Sequence, residues 1–142
     1  YIESYLNHYS GVKEYMDRVK SEAKKNGYVK TLMNRIRYVP ELKSANYNTR
    51  MFGERVALNT PIQGTAADIM KIAMLRVNKA LKTKNLQARI LLQIHDELLI
   101  EAADDEVEKV KEIIKKSMEE AVDLKVQLKV ELGVGKSWGE AH

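Results

Sequence analysis

The chain has no cysteine, so it carries neither a disulfide framework nor a thiolate zinc site. Its three histidines, His8, His95 and His142, are scattered and give no metal-ligand spacing. The lack of thiols fits a reducing compartment, and a cytoplasmic location is expected. With only two prolines and seven glycines in 142 residues, a low-complexity or disordered chain is excluded. No apolar run approaches the roughly 18 residues of a membrane span, and YIESYLNHYS at the N-terminus lacks the basic start and apolar core of a secretory signal. A soluble, unexported protein is expected. The sequence starts at Tyr1 rather than Met, in what reads as the middle of a helix, which suggests a piece of a longer chain.

What is present is 44% hydrophobic and 31% charged residues, a helix-rich globular composition of about one domain. The net charge of +4 is modest, but it is unevenly spread. Between Tyr28 and Arg55 six basic residues (Lys30, Arg35, Arg37, Lys43, Arg50, Arg55) face two acidic ones (Glu41, Glu54). Between Glu101 and Asp123 nine acidic residues face four basic ones. One face can meet a polyanion while another is acidic and solvated; two differently charged surfaces without a partner fit equally well.

Val12, Tyr15, Met16 and Val19 recur at helical spacing, and Gly27 is a C-terminal stop, so a helix is expected from about Ser10 to Asn26. Tyr28 to Leu32 and Arg35 to Val39 are β-prone runs flanking Met33-Asn34, a hairpin ended by Pro40. Residues from about Thr49 to Lys82 read as helical around NTPIQG. Thr60 and Gln63 there match a capping box, so Pro61 marks either a new helix start or a kink. Ala66, Ile69, Met70, Ala73, Val77 and Leu81 form an apolar stripe. Ala88 to Ile94 and Leu98 to Ala102 read as strands joined at His95-Asp96-Glu97. A helix follows through Val107, Val110, Ile113, Ile114 and Met118, and Val126 to Leu132 alternates as a last strand. Helices with antiparallel strands imply an α+β fold.

Within LLQIHDELLI, Asp96 and Glu97 are read either as a solvated hairpin tip or as paired carboxylates held at the end of a sheet. A two-residue loop at both positions with positive φ would suit Glu97 poorly, and the flanking LLQI and LLI are apolar enough to bury both strands. Carboxylates so fixed suit a hard cation such as Mg²⁺, which takes oxygen ligands and keeps positions open for water and phosphate. One Asp-Glu pair is an incomplete two-metal site. Glu54 and Asp68 are the remaining carboxylate candidates, both on helices where solvated or capping roles are expected. Arg55, Asn59 and Gln63, four residues apart in turn, would share one helix face and offer donors to minor-groove edges and phosphates; if Gln63 closes the capping box, the stripe is lost. GVGKS near the C-terminus is no phosphate loop, because Val130 stands where GxxxxGK[ST] needs glycine. His95 beside Asp96 forms no triad, since no nucleophilic serine has a motif around it.

Taken together, GYVKTLMNRIRYVPEL, ERVALNTPIQGTAADIMKIAM, LQARILLQIHDELLIEA and the terminal GVGKSW follow one another as in the C-terminal region of family A DNA polymerases. The resemblance covers essentially the whole chain. It implies an incomplete α+β piece with an antiparallel palm-type sheet packed on helices: residues 1–27 a helical segment joining the fingers base to the palm, and 28–142 the C-terminal part of the palm. Asp96 is then a catalytic metal ligand, and Glu97, beside it, a supporting catalytic and metal-site residue. His95 lies near the primer terminus, and Arg55, Asn59 and Gln63 contact the primer-template duplex. The implied cofactor is Mg²⁺, two ions in the complete site. The implied partners are primer-template DNA and deoxynucleoside triphosphates, the latter held mostly by upstream segments that also carry the first metal-bridging Asp. The family commonly has consecutive arginines where this chain has Arg35-Ile36-Arg37. On this reading the isolated chain is silent and self-associates through open sheet edges. The alternatives are a stand-alone nucleic-acid-binding module using the Tyr28 to Arg55 face, or one subunit of a split enzyme.

Overall fold

The protein is described by a computed structural model covering residues 1–142. A short helix α1 (Ile2–His8) leads into α2 (Ser10–Asn26). In α2 the apolar stripe buries Val19 and Ala23, and Gly27 ends the helix at φ 80°, its N–H donating to the Ala23 carbonyl at 2.8 Å. Glycine takes that left-handed position without a Cβ penalty. Strands β1 (Tyr28–Lys30) and β2 (Ile36–Tyr38) pair antiparallel in register Val29 with Arg37. The turn between them needs no glycine because Asn34 takes the left-handed conformation at φ 65°. Val39 closes the hairpin by donating to the Gly27 carbonyl, and Pro40 opens a 3₁₀ turn to Lys43.

A single helix, α3, runs from Tyr47 to Thr83 with Pro61 inside it. Of the two readings of Pro61, a new helix start or a position inside one long helix, the structure has the second: Thr60 to Gln63 lies within α3. The turn of α3 that follows Pro61 is tied to the β1–β2 hairpin. The Thr65 hydroxyl donates to the Pro61 carbonyl and accepts from the Leu32 N–H at 2.9 Å, while the Arg35 guanidinium donates to the Gly64 carbonyl at 3.3 Å. Gly64 itself lets the hairpin approach, since a Cβ there would stand 2.6 Å from the Thr31 methyl. Gly53, about three turns earlier on the same face, does the same under the 3₁₀ turn, where a Cβ would meet the Leu42 nitrogen at 3.0 Å. The first of two compact units, Tyr1–Ala66, closes around Val19, Ala23, Val29, Val39, Leu42 and Ala57.

The second unit, Ala67–His142, begins inside α3. The predicted stripe buries Ala73, Val77 and Leu81, whereas Ala66 is exposed. Strands β3 (Arg89–Ile94) and β4 (Glu97–Glu101) form an antiparallel hairpin separate from β1–β2, and α4 (Val107–Glu119) packs Val110 and Ile113 against Val77, Leu81 and Ala88. The register shifts by one residue between Ile90 and Leu92, so Leu91 has no partner across the ladder and the alternation is broken. One correction is that the strands are not buried on both faces, for Leu91 and Leu92 are 44% and 51% exposed. A second correction concerns Val126 to Leu132, which is irregular rather than a strand. Its alternation survives in half-buried Leu128 and Val130, but the sheet ends at β4 and its backbone meets a side chain instead, Val130 N–H donating to Glu119 at 2.9 Å. The chain ends in a helical turn, α5 (Trp138–Ala141). No helix is long and apolar enough to cross a membrane.

Candidate active-site hairpin

Ile94 pairs with Glu97, so the loop between β3 and β4 is His95-Asp96 alone. The expectation that Glu97 occupies a turn position is corrected. It is the first residue of β4, and His95 takes the one positive φ of the loop, 52°. A β-carbon in the left-handed region costs about 1–2 kcal/mol, and such strain clusters where function holds it. Gln93 braces the loop by donating from Nε2 to the His95 carbonyl at 2.6 Å. At this tip Asp96 is exposed and Glu97 half-buried.

Glu97 has a partner that sequence reasoning missed. His142 Nε2 lies 3.0 and 3.1 Å from its two carboxylate oxygens, and His142 Nδ1 lies 2.8 Å from the Trp138 carbonyl. Nδ1 faces an acceptor, the Trp138 carbonyl, while Nε2 faces both the Glu97 carboxylate and, at 3.1 Å, the Trp138 indole N–H, so Nε2 donates to Glu97 when protonated and accepts from the indole when not. The Trp138 carbonyl first, then the Glu97 carboxylate, raise the His142 pKa above its ordinary 6.5. A raised native pKa contributes stability that is fully present below the unfolded value and is lost as pH rises through the native one. An NMR titration is expected to give a His142 midpoint above 6.5 that falls in Glu97→Gln; a wild-type midpoint at or below 6.5 would contradict the contact. The signal for this partner was present in the sequence as Ser137-x-x-Glu140, a capping box that folds the last residues into a turn.

Arg55, Asn59 and Gln63 are exposed on α3. Because the helix is unbroken, these i, i+4, i+8 positions share one face, as the stripe requires. Of the further carboxylate candidates, Glu54 is half-buried. Asp68 is buried and partnered, which corrects its expected solvated or capping role. A cavity of about 880 Å³ is lined by Arg76, Lys84, Lys109, Lys116 and their neighbours and takes no residue from the hairpin tip. The all-oxygen donors of Asp96 and Glu97 fit a hard cation such as Mg²⁺, but no three acidic or histidine side chains converge to hold one. The residues present therefore fit one side of such a site.

The family model for DNA polymerase family A matches residues 1–140. The chain belongs to DNA polymerase family A. A DNA polymerase I from Bacillus caldotenax is 52% identical over 114 residues, 80% of this chain and 13% of that protein. The DNA polymerase I of Lactococcus lactis subsp. lactis is 45% identical over 141 residues, 99% of this chain and 16% of that protein. Among solved structures, the POL domain of Pol1 from M. smegmatis in complex with DNA primer-template and dNTP aligns with a TM-score of 0.95 and 45% identity, covering 99% of this chain and 25% of that one. This family A chain thus spans 13% to 16% of the curated relatives it matches. Its α+β architecture, two small antiparallel sheets with helices, is that of part of a family A polymerase domain. Ile36, between Arg35 and Arg37, is 45% exposed on β2.

Proposed function

We propose that this chain is the C-terminal part of the palm of a DNA-directed DNA polymerase of family A, with residues 1–27 joining the fingers base to the palm and 28–142 in the palm, acting in the cytoplasm. The reaction is attack of a primer 3′-hydroxyl on the α-phosphorus of a deoxynucleoside triphosphate, which breaks the α–β phosphoanhydride bond and releases pyrophosphate. The observation that carries the reading is a His-Asp-Glu tip on a strained two-residue hairpin, within a chain that matches the family over residues 1–140. Bound Mg²⁺ would supply charge stabilisation for the attacking and leaving oxygens. Asp96 would hold it, and Glu97 would stand beside it.

Supporting that division of labour, both Glu97 oxygens are engaged by His142 while Asp96 is exposed. His95 would lie at the primer terminus, and Arg55, Asn59 and Gln63 would meet the duplex as donors from one helix face. With a single pair of carboxylates the isolated chain is catalytically silent. Exposed Leu91 and Leu92 on a two-stranded sheet favour its self-association.

Fluorescence anisotropy with a labelled primer-template duplex tests the DNA side. Binding by the chain is expected to weaken with salt, and Arg55→Ala with Gln63→Ala is expected to reduce affinity by about tenfold, with Asp96→Ala near wild type. Undiminished binding in the double variant would contradict the assignment of the stripe. Loss confined to Arg50→Ala with Arg55→Ala would favour the stand-alone binding module instead.

A further inference from the structure

We propose that the C-terminal segment Gly133–His142 is a latch that positions Glu97, holding its carboxylate through His142 Nε2 and leaving Asp96 as the open carboxylate at the hairpin tip. The proposal rests on the reading of that tip as one side of a cation site. His142 is a positioning residue in it, acting through Glu97.

The latch is built from several independent restraints. A Cβ on Gly133 would stand 1.9 Å from the Ala141 carbonyl oxygen, and one on Gly135 would stand 2.5 Å from the Glu140 Cβ. Both glycines of GVG are thus required by the fold-back of the chain onto α5, which accounts for a motif that is no phosphate loop. Ser137 caps the turn by accepting from the Glu140 N–H at 3.3 Å, and Glu140 accepts from the Lys136 N–H at 2.8 Å. The Ala141 N–H donates to the Ser137 carbonyl at 3.1 Å. The Trp138 indole meets the His142 ring edge-on, with centroids 5.5 Å apart, and the Trp138 carbonyl takes the Nδ1 proton. The remaining ring nitrogen, Nε2, lies 3.0 Å from Glu97, 45 positions away in sequence, and 3.1 Å from the Trp138 indole N–H; its protonated form donates to Glu97. A solvated tail would need none of these restraints. Holding the Glu97 carboxylate through His142 leaves fewer of its lone pairs for a cation at Asp96.

The test uses the full 142-residue chain, isotope-labelled, in the wild type, His142→Ala, His142→Gln and Gly133→Ala. One readout is the NOE between His142 ring protons and Glu97 Hγ, with ¹³C relaxation of Glu97 Cγ. The other is Mn²⁺-induced line broadening at Asp96 and Glu97. The wild type is expected to show the NOE, a restrained Glu97, and broadening greater at Asp96 than at Glu97. His142→Ala and Gly133→Ala are expected to free Glu97 and bring its broadening up to that of Asp96. His142→Gln, whose amide can still donate to the carboxylate, is expected to keep Glu97 restrained. Identical Glu97 relaxation in the wild type and His142→Ala would overturn the latch. An intact NOE with Mn²⁺ broadening neither carboxylate would instead overturn the cation reading, and with it the positioning role.

Discussion

Asp96→Ala, introduced into a complete family A polymerase carrying this chain, is expected to lower kcat by about 10³-fold or more, with primer-template affinity changed less than about threefold. The expectation follows from where the side chain sits. Asp96 is an exposed residue of a two-residue loop, and β4 begins after it at Glu97. Its removal leaves the ladder pair between Ile94 and Glu97 and the Gln93 brace on the His95 carbonyl intact. The fold and the proposed duplex-binding face of α3 should survive while the negative charge at the tip is lost. Asp96→Asn separates charge from shape: it is expected to be nearly as impaired as alanine. Primer-extension kinetics with duplex binding measured on the same preparations check both. A proportionate loss of binding would assign Asp96 to DNA rather than to the reaction.

Leu81→Ala is expected to destabilise the chain by about 2–5 kcal/mol, a fall in Tm on the order of 10 °C. Leu81 is among the most buried large side chains, 2% exposed, and packs with Val77, Ala88, Val110 and Ile113. Truncation there leaves a cavity among the residues that join α3, β3 and α4. By contrast, Leu92→Ala on the open face of β3, at 51% exposure, should cost less than about 1 kcal/mol. Both substitutions remove the same atoms, so thermal or urea unfolding of the pair reads burial alone. Equal losses would show that β3 is covered on both faces in solution, as by self-association.

Local signals carried much of this architecture. The period of α2 and its stop at Gly27, the stripe of α3 and the helix α4 were all present as spacing, since each depends on residues within a few turns of one another. Signals failed where a distant partner decided. Pro61 left a helix start and a kink within one helix equally open, and the single helix has Leu32 and Arg35 reaching it just beyond the proline. Val126 to Leu132 alternates like a strand, yet a strand exists only where another pairs with it. The hydrophobic pattern located the hairpin, although it could not say that the loop was His95-Asp96 with Glu97 already in β4, because loop length is set by backbone geometry. Burial of Asp68 and the contact of His142 with Glu97 depend on tertiary packing, which periodicity does not report. Arg55, Asn59 and Gln63 were readable as a stripe only on condition that the helix continued, and it does.

The central claim is that the hairpin tip is one side of a polymerase metal site whose other side this chain does not supply. Primer extension by the purified 142-residue chain, with Mg²⁺ and all four deoxynucleoside triphosphates, tests it most directly. The account predicts no extension from the chain alone and Asp96-dependent extension once the preceding part of a family A catalytic region is added. Extension by the chain alone, abolished by Asp96→Ala, would contradict it.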